Sequence, residues 1–326
     1  MADYVCKGQD FKVLDHGYIK IIDWMGSDEA VIEAARMSTG KGFQGWGPGM
    51  RCKECGWRDD DIVNKPHYIP HSDLHLHVVE RVSGDMNLLD YLWRNHHTSP
   101  FEMCELHIEV NAPVLVWRQW MRHRTQSYNE ASARYSKMSE DHYLPDPERV
   151  QAQGKKNKQG SDGKLDPLAV KHFLETCELQ QKQIYESYEF FIEEDGIANE
   201  TARLNSPVSR YSKARVKTDL KNWLGMLQLR MHPHAQWEIR MYAETIGNEI
   251  IAKVFPRVWQ VFQEHTLYGT HFSRTEMGII QSLIMSLENR VPDLGLEKTM
   301  AEEAGLKDSV LEEFLKKLYS GGQEIL

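Results

Sequence analysis

Residues 102–124 read EMCELHIEVNAPVLVWRQWMRHR, and a change of pattern inside this stretch decides the fold. Leu106, Ile108 and Val110 alternate strictly with polar residues, which is the period of a strand with one buried face. Pro113 then suits a helix start, because proline is tolerated in the first turn of a helix. The stretch therefore predicts a half-buried strand followed directly by a helix over VLVWRQWMRHR.

Upstream of this stretch, the chain alternates between regular and irregular patterns. Residues 11–24, FKVLDHGYIKIIDW, favour strands because β-branched and aromatic residues recur at short intervals. Asp28 is a plausible N-cap for a helix over EAVIEAARM. Residues 39–73 contain many Gly, Pro, Asp and His residues without a sustained period, which predicts a long loop or insertion. Helical spacing resumes in DMNLLDYLWRNH, which begins at residue 85.

Downstream, the pattern is mostly helical. Residues 151–166, QAQGKKNKQGSDGKLD, are polar and predict a flexible surface loop. Everything after Pro167 looks helical, including a stripe of Ile239, Tyr242, Ile246 and Ile250 and short patterns at 274–290 and 308–319. With strands in the first half and helices in the second, the sequence predicts an α+β fold.

Composition limits the possible function. The 326 residues carry a net charge of −9, which argues against broad nucleic-acid binding, and no apolar run is long enough for a membrane span. The N-terminus lacks the layout of a secretory signal. Five cysteines are too few and odd in number for a disulfide framework, so we expect a reduced, cytoplasmic protein.

The most unusual segment covers residues 122–136, RHRTQSYNEASARYS, where three arginines stand in an acidic chain. The guanidinium group of arginine offers a planar fork of donors that suits phosphate. Asn129, Glu130 and Ser132 add directional donors and acceptors that could read a base or sugar. The chemistry indicates an anionic small ligand such as a nucleotide, although a solvated, charged helix end would have a similar composition.

The order of these residues resembles a known signature. Arg-His-Arg-x-x-Ser-x-Asn-Glu-x-Ser-x-Arg, at residues 122–134, is the pattern of flavin-dependent thymidylate synthases, with every fixed position present. Residues 35–38 (ARMS), 97–102 (HTSPFE), 200–203 (ETAR), 220–223 (LKNW), 229–230 (LR) and 234–239 (HAQWEI) are similar to further family blocks. The similarity covers most of residues 10–38, 86–150 and 196–265.

The resemblance implies an antiparallel sheet with helices and a family domain over residues 1–270. This domain would contain an insertion at 39–85 and the flexible loop at 151–166. A helical C-terminal extension would occupy residues 271–326.

The resemblance also implies site residues. The residues expected around dUMP are Gln119, Arg122, Glu130, Ala131, Ser132, Ala133, Arg134, Arg203 and Arg230. Those expected around FAD are Ser38, His97, Ser99, Arg122, His123, Arg124, Glu130, Asp219, Lys221 and Gly225. A neighbouring subunit is expected to supply Ser38, His97, Ser99, Asp219, Lys221 and Gly225. Lys221 and Gly225 depart from the commoner residues of the family, which are arginine and asparagine or histidine. Arg230 is the expected catalytic residue, placed against the uracil ring.

The implied activity is the methylation of dUMP to dTMP, with methylenetetrahydrofolate as the one-carbon donor. Reduced FAD, regenerated by NADPH, would supply the hydride in a homotetramer whose sites are shared between subunits. The signature contains no cysteine nucleophile, and Cys104 is expected to be a packed structural thiol. Methylation or hydroxymethylation of another pyrimidine nucleotide in the same site is the alternative.

A second possible site lies in the insertion. Cys52 and Cys55 precede His67, His71, His75 and His77, and two thiolates with two imidazoles can complete a tetrahedral zinc site. The spacing does not match a standard zinc finger, and we therefore expect no metal ion in this protein. A surface extension, with His75 and His77 on one face of a short strand, is the other interpretation.

Overall fold

The computed structural model describes residues 5–52, 58–59, 68–72, 75–82, 84–155, 160–277 and 280, and between residues 49 and 82 it describes the backbone only. The chain divides into two compact units, residues 1–268 and 269–326. Within the second unit, the described part contains helical residues at 274–277. The patterns at 278–279, 281–290 and 308–319 lie outside the described residues.

The strands are β1 (Asp10–Val13), β2 (Gly17–Met25), β3 (Gly49–Cys52), β4 (Arg58–Asp59), β5 (Tyr68–Ser72), β6 (His75–Val82), β7 (Glu105–Pro113), β8 (Ser127–Glu130) and β9 (Tyr211–Asp219). The α-helices are α1 (Asp28–Arg36), α2 (Met86–Arg94), α3 (Val114–Trp120), α4 (Pro167–Glu193), α5 (Asn199–Ala202), α6 (Leu220–Arg230), α7 (Trp237–Thr245), α8 (Ala252–Val254) and α9 (Pro256–Phe262). The α+β class and the antiparallel sheet with helices are confirmed.

The main sheet has the strand order β1-β2-β7-β9-β8, and its neighbouring strands all pair antiparallel. The alternation in the central strand β7 is confirmed: Leu106, Ile108 and Val110 are fully buried, whereas Glu105 and Glu109 face the other side of the sheet. On that polar face Lys217 and Arg215 of β9 pair with these two glutamates. The apolar face is the one on which helices pack.

The helical layer on the apolar face is rich in tryptophan. Trp117 and Trp120 of α3 lie against each other, and Trp223 of α6 meets the edge of Trp120. All three rings are almost fully buried. The predicted stripe on the helix after residue 236 is also confirmed, because Ile239, Tyr242, Ile246 and Ile250 are completely buried. This stripe continues from α7 into a π-helical segment, Ile246–Ile251.

The first helix has a different cap from the predicted one. Ser27 is the N-cap of α1, and its hydroxyl accepts a hydrogen bond from Ala30 N at 3.4 Å. The carboxylate of Asp28 instead accepts from the backbone N–H groups of Arg257 and Val258 at 2.8 and 3.0 Å, at the start of α9. Burial raises the pKa of Asp28 to about 6.

Two predictions about secondary structure were wrong. The region after Pro167 is not entirely helical, because β9 lies beside the central strand of the main sheet. The 39–73 segment is not only a loop, because it contains β3, β4 and β5 of a second sheet of order β4-β3-β6-β5. His75 and His77 do lie in one strand, β6.

The remaining loop prediction holds in part. In the described residues of 151–166 there is no helix, but the backbone pairs across the loop through Gly154 N to Gly160 O at 2.8 Å and Asp162 N to Ala152 O at 2.9 Å. Asp166 caps the following helix α4 by accepting from Leu168 N at 3.0 Å. In the described part of the chain, no helix is long and apolar enough to cross a membrane.

Candidate functional site

The arginine-rich segment changes direction twice. Helix α3 ends at Trp120, so the predicted continuation of this helix to residue 124 was wrong. Residues 121–126 turn back, with His123 N donating to Trp120 O at 3.0 Å, and β8 then runs antiparallel to β9. Arg122, His123 and Arg124 therefore project from a turn between a helix and a strand.

Buried polar contacts hold this turn in place. Trp120 Nε1 donates to Gln126 Oε1 at 2.8 Å, and the Tyr128 hydroxyl lies 2.9 Å from the same oxygen and 3.0 Å from the carbonyl oxygen of His123. Burial raises the pKa of Tyr128 to about 12, so its hydroxyl keeps its proton and acts as a donor. The contacts join the helix end, the turn and the strand into one unit.

Arg230, at the end of α6, reaches this turn. Its Nε donates to His123 Nε2 at 3.0 Å, and its Nη2 donates to the carbonyl oxygen of Gln119 at 3.2 Å. Accepting at Nε2 requires a neutral imidazole with its proton on Nδ1. Burial and the charge of Arg230 lower the pKa of His123 to about 4, which keeps this ring neutral near pH 7. Gln119, His123 and Arg230 form one cluster, which we call the Arg230 cluster.

Six of the predicted nucleotide residues line a separate cleft of about 690 Å³. They are Glu130, Ala131, Ser132, Ala133, Arg134 and Arg203. Arg134 is exposed, and its Nε donates to Glu200 Oε2 at 2.9 Å. The hydroxyl of Ser132 accepts from Arg134 N at 3.3 Å, which fixes the turn that carries the arginine. The cleft offers two guanidinium groups to an anion.

The predicted dUMP residues therefore fall into two groups in one chain. Among the described residues, no hydrogen bond or ion pair joins the Arg230 cluster to the cleft. Along the chain, His123 of the cluster and Glu130, where the cleft begins, lie at opposite ends of the segment that contains β8. Arg122 is exposed on the turn and does not line the cleft.

The predicted flavin residues form two further sets. Ser38 follows α1 and Ser99 begins a 3-10 turn, Ser99–Met103, against which both α1 and α6 pack. His97 is exposed, with its ring edge-on to Tyr91. Glu130, predicted in both sites, accepts from the Ser212 hydroxyl at the end of β8.

The second set lies on α6. Asp219 is the N-cap of this helix and accepts from Asn222 N at 2.8 Å, so its carboxylate already has a structural role. Lys221 and Gly225 follow at a spacing of four residues and so share a face of the helix. A Cβ atom added at the exposed Gly225 would meet no other atom within 4 Å.

These residues fit a flavin dinucleotide. Arg122, Arg124 and Lys221 are cations that suit a diphosphate, and the open surface above Gly225 leaves room for a bulky group. Among the side chains that the structure describes, no cluster of three or more His, Cys, Asp or Glu could hold a metal ion. The zinc hypothesis concerns Cys55 and His67, which lie outside the described residues, and Cys52, His71, His75 and His77, whose side chains are not described.

Some residues around the Arg230 cluster were missed at the sequence level. Glu238 is buried, and its carboxylate accepts from Arg149 and Gln236. Gln236 in turn accepts from Gln119. Gln236 and Glu238 both belong to the HAQWEI block, which the resemblance had already identified. The signal that was not used is the glutamate of this block, which stands at a buried position of the helical pattern.

Comparison with known proteins places these features in a family. Residues 20–257 match the family model described as thymidylate synthase complementing protein. A flavin-dependent thymidylate synthase of Wolbachia pipientis wMel is 40% identical over 276 residues, which cover 85% of this chain and 84% of that protein. A flavin-dependent thymidylate synthase of Thermus thermophilus is 36% identical over 313 residues, covering 96% of this chain and 97% of that protein.

A solved structure is similar as well. The UMP/dUMP methylase PolB from Streptomyces cacaoi, bound with 5-Br UMP, is 27% identical with a TM-score of 0.60. The match covers 78% of this chain and 97% of the PolB chain. A fold of antiparallel sheet and helices with an arginine-rich turn thus defines a nucleotide-methylating class of enzyme. The chain belongs to the flavin-dependent thymidylate synthase family.

Proposed function

We propose that this protein methylates dUMP to dTMP, with methylenetetrahydrofolate as one-carbon donor, FAD as bound cofactor and NADPH as reductant. The observation that carries the proposal is the complete signature at residues 122–134. Its residues from Glu130 to Arg134 line the cleft that Arg203 completes, and its His123 accepts from Arg230.

In this proposal the cleft binds the phosphate of dUMP. Arg134 and Arg203 supply charge-assisted donors, and the exposed ion pair between Arg134 and Glu200 is weak enough to be exchanged for a phosphate. The neutral amide and hydroxyl groups of residues 130–134 then orient the sugar. No histidine or lysine stands beside Ser132 in sequence, so the role proposed for it is hydrogen bonding rather than nucleophilic attack.

The Arg230 cluster acts on the base. Uracil becomes a nucleophile at C5 when its ring gains negative charge, and a guanidinium group beside N3 and its neighbouring carbonyl stabilises that charge. Nη1 of Arg230 makes no hydrogen bond among the described residues, so its two N–H groups are available to a ligand. The neutral His123 does not compete with the base for a proton.

FAD would supply the hydride when bound, at a site to which one chain contributes Arg122 and Arg124 and a neighbouring chain contributes Ser38, His97 and Lys221. No cysteine is required for this chemistry. Cys104 is fully buried, and burial raises the pKa of its thiol to about 11, which opposes thiolate formation.

The separation of the two dUMP groups supports a site shared between subunits of a homotetramer. One chain would contribute the nucleotide residues of the cleft, and a neighbouring chain would contribute the flavin residues Ser38, His97 and Ser99. Mixing His97→Ala with Arg134→Ala protein under conditions of subunit exchange should then restore part of the activity that each variant lacks. Each unmixed variant is the control, and a mixture no more active than its parents would contradict sharing.

Two measurements test the function itself. The purified protein should be yellow and should release FAD on denaturation, because the predicted flavin residues are present. With dUMP, methylenetetrahydrofolate and NADPH it should form dTMP, detected by chromatography. A protein that neither retains nor takes up FAD, or that forms no dTMP with all substrates present, would refute the proposal.

UMP is a second candidate substrate, because the PolB structures hold 5-Br UMP and 5-Br dUMP. The thymidylate synthases are more similar, at 40% and 36% identity against 27% for PolB, which favours dUMP. Turnover of UMP and dUMP in parallel assays would separate the two, and we expect dUMP to be preferred.

A further inference from the structure

A line of hydrogen bonds connects a buried glutamate to the predicted nucleotide residue Gln119. Glu238 of α7 has an exposed fraction of only 4%. Its Oε2 accepts from Gln236 Nε2 at 2.7 Å, and Gln236 Oε1 accepts from Gln119 Nε2 at 2.5 Å. The line therefore ends at the side chain of the residue that also contributes its carbonyl to Arg230.

The carboxylate of Glu238 is held in a fixed orientation by other donors. Arg149 donates from Nε to Oε1 at 3.0 Å and from Nη2 to Oε2 at 3.4 Å, and the Tyr143 hydroxyl donates to Oε1 at 3.2 Å. Burial, followed by the charge of Glu238, raises the pKa of Tyr143, so this hydroxyl retains its proton. Surrounded by donors, the carboxylate of Glu238 acts only as an acceptor.

A group that can only accept hydrogen bonds fixes the orientation of a side-chain amide next to it. A glutamine amide has a donor end and an acceptor end, and either can point at a neighbour. Because Glu238 can only accept, Gln236 must point its NH₂ group at the carboxylate and its oxygen towards Gln119. That oxygen can only accept, so Gln119 must supply its NH₂ group, and its own Oε1 is left facing away from Gln236.

We propose that Glu238 is a positioning residue which acts through Gln236 to present Gln119 Oε1 to the substrate as a hydrogen-bond acceptor. In the described part of the chain, no hydrogen bond ends on Gln119 Oε1. The group that it receives must be a donor, which on a pyrimidine nucleotide is a ring N–H or a sugar hydroxyl. The inference rests on the proposed binding of dUMP, and it assigns the polarity of one contact in that site.

Glutamine at position 238 would remove this control. Arg149 Nε and the Tyr143 hydroxyl would hold the oxygen of the new amide at the Oε1 position, so its NH₂ group would face Gln236. Gln236 would then turn round, and the polarity that Gln119 presents to the substrate would no longer be fixed as an acceptor. The side-chain volume hardly changes. We expect Glu238→Gln to weaken the binding of dUMP about fivefold and Gln119→Leu to weaken it about tenfold, which is the usual size for one hydrogen bond.

A double-mutant cycle on the full-length, FAD-loaded protein tests the relay, with dissociation constants for dUMP measured by titration calorimetry. If Glu238 acts through Gln119, then Glu238→Gln should have no further effect in the Gln119→Leu background. The swap of Glu238→Gln with Gln236→Glu should restore wild-type affinity within about twofold, because a carboxylate at position 236 again accepts from Gln119. Glu244→Gln, a half-exposed glutamate on the same helix that pairs with Arg240, is the matched control and should leave affinity unchanged.

Gln236→Leu is the second variant, because residue 236 is exposed and its replacement spares the buried ion pair. It too should lose its effect when Gln119 is absent. The proposal is overturned if either substitution weakens dUMP binding equally with and without the Gln119 side chain. Wild-type protein that binds no dUMP would overturn the proposed function as well. If the wild type binds dUMP normally and the effects of the two substitutions simply add, only the positioning role of Glu238 is overturned.

Discussion

Replacing Arg230 tests how the site works, because a structural role predicts a loss of stability whereas a chemical role predicts a loss of turnover. Replacement by alanine removes the donor to His123 Nε2 at 3.0 Å and the donor to the Gln119 carbonyl at 3.2 Å. Two such hydrogen bonds contribute about 2 kcal/mol to stability. A purely structural Arg230 would therefore lower the unfolding midpoint and leave turnover of the folded protein nearly unchanged.

The proposed chemical role predicts a larger effect on rate. Removing one preorganised donor from a developing negative charge costs about 3–4 kcal/mol, which corresponds to a fall in kcat of about a hundredfold or more. The loss must persist at saturating dUMP, because the charge develops after binding. FAD binding and reduction of the flavin by NADPH should survive, since neither needs the uracil ring.

A second measurable effect of replacing Arg230 concerns the pKa of His123. Burial and the positive charge of Arg230 together hold the pKa of His123 down at about 4. In Arg230→Ala the charge is gone, so the pKa of His123 should rise towards its ordinary value, which can be followed by NMR titration. A bystander arginine outside the cluster would leave this pKa unchanged.

The assay compares Arg230→Ala with Arg118→Ala, an exposed arginine on α3 beside Gln119. For each protein, flavin content, the rate of flavin reduction and dTMP formation at saturating dUMP are measured, together with the unfolding midpoint. The Arg118 variant should match the wild type throughout. If Arg230→Ala forms dTMP near the wild-type rate, Arg230 is not the activating residue.

Three more tests concern the cysteines, His123 and Arg210. Cys177→Ser should leave turnover intact, whereas Cys104→Ser should lower only the unfolding midpoint; a covalent adduct of dUMP with any cysteine, seen by mass spectrometry, would contradict this. The pKa of His123 is lower in the folded protein than in the unfolded chain. The contribution of neutral His123 to stability is therefore complete above about pH 6.5 and is lost as the pH falls towards 4. His123→Gln should make the free energy of unfolding depend less on pH in this range. Arg210→Ala should destabilise the protein by about 2–4 kcal/mol in urea, because it empties a fully buried site and leaves the carbonyl of Ser139 without its donor; a midpoint equal to that of the wild type would refute this.

The sequence predicted those elements whose pattern is determined by one buried face. The central strand and the stripe of α7 are examples, because their apolar residues are large and their period is clear. Strand β9 was missed although its residues alternate: Ala214, Val216 and Thr218 are buried between exposed lysines and an arginine. Alanine and threonine give a weak apolar signal, and the strand is stabilised by its two neighbours rather than by its own composition.

The candidate site was predicted as a set of residues but not as a geometry. The resemblance supplied Gln119 and Arg230, which do meet in the structure through the carbonyl of Gln119. It could not predict that Ser27 rather than Asp28 caps α1. The carboxylate of Asp28 accepts instead from backbone N–H groups at the start of α9, more than two hundred residues away in sequence. Contacts of this kind depend on tertiary packing, which no local pattern encodes.

The order of residues within the signature has a structural explanation beyond ligand contacts. Gln126 stands at a position that the pattern leaves unspecified, yet it is buried and joins Trp120 to the strand that follows. The turn carries two like charges, Arg122 and Arg124, on either side of His123, and their repulsion opposes an ordered turn. The contacts of Gln126 and Tyr128 fix the backbone of His123, and Arg230 fixes its ring. The signature therefore combines residues that face a ligand with residues that hold them in place, and a substitution at Gln126 should impair the site without touching the substrate.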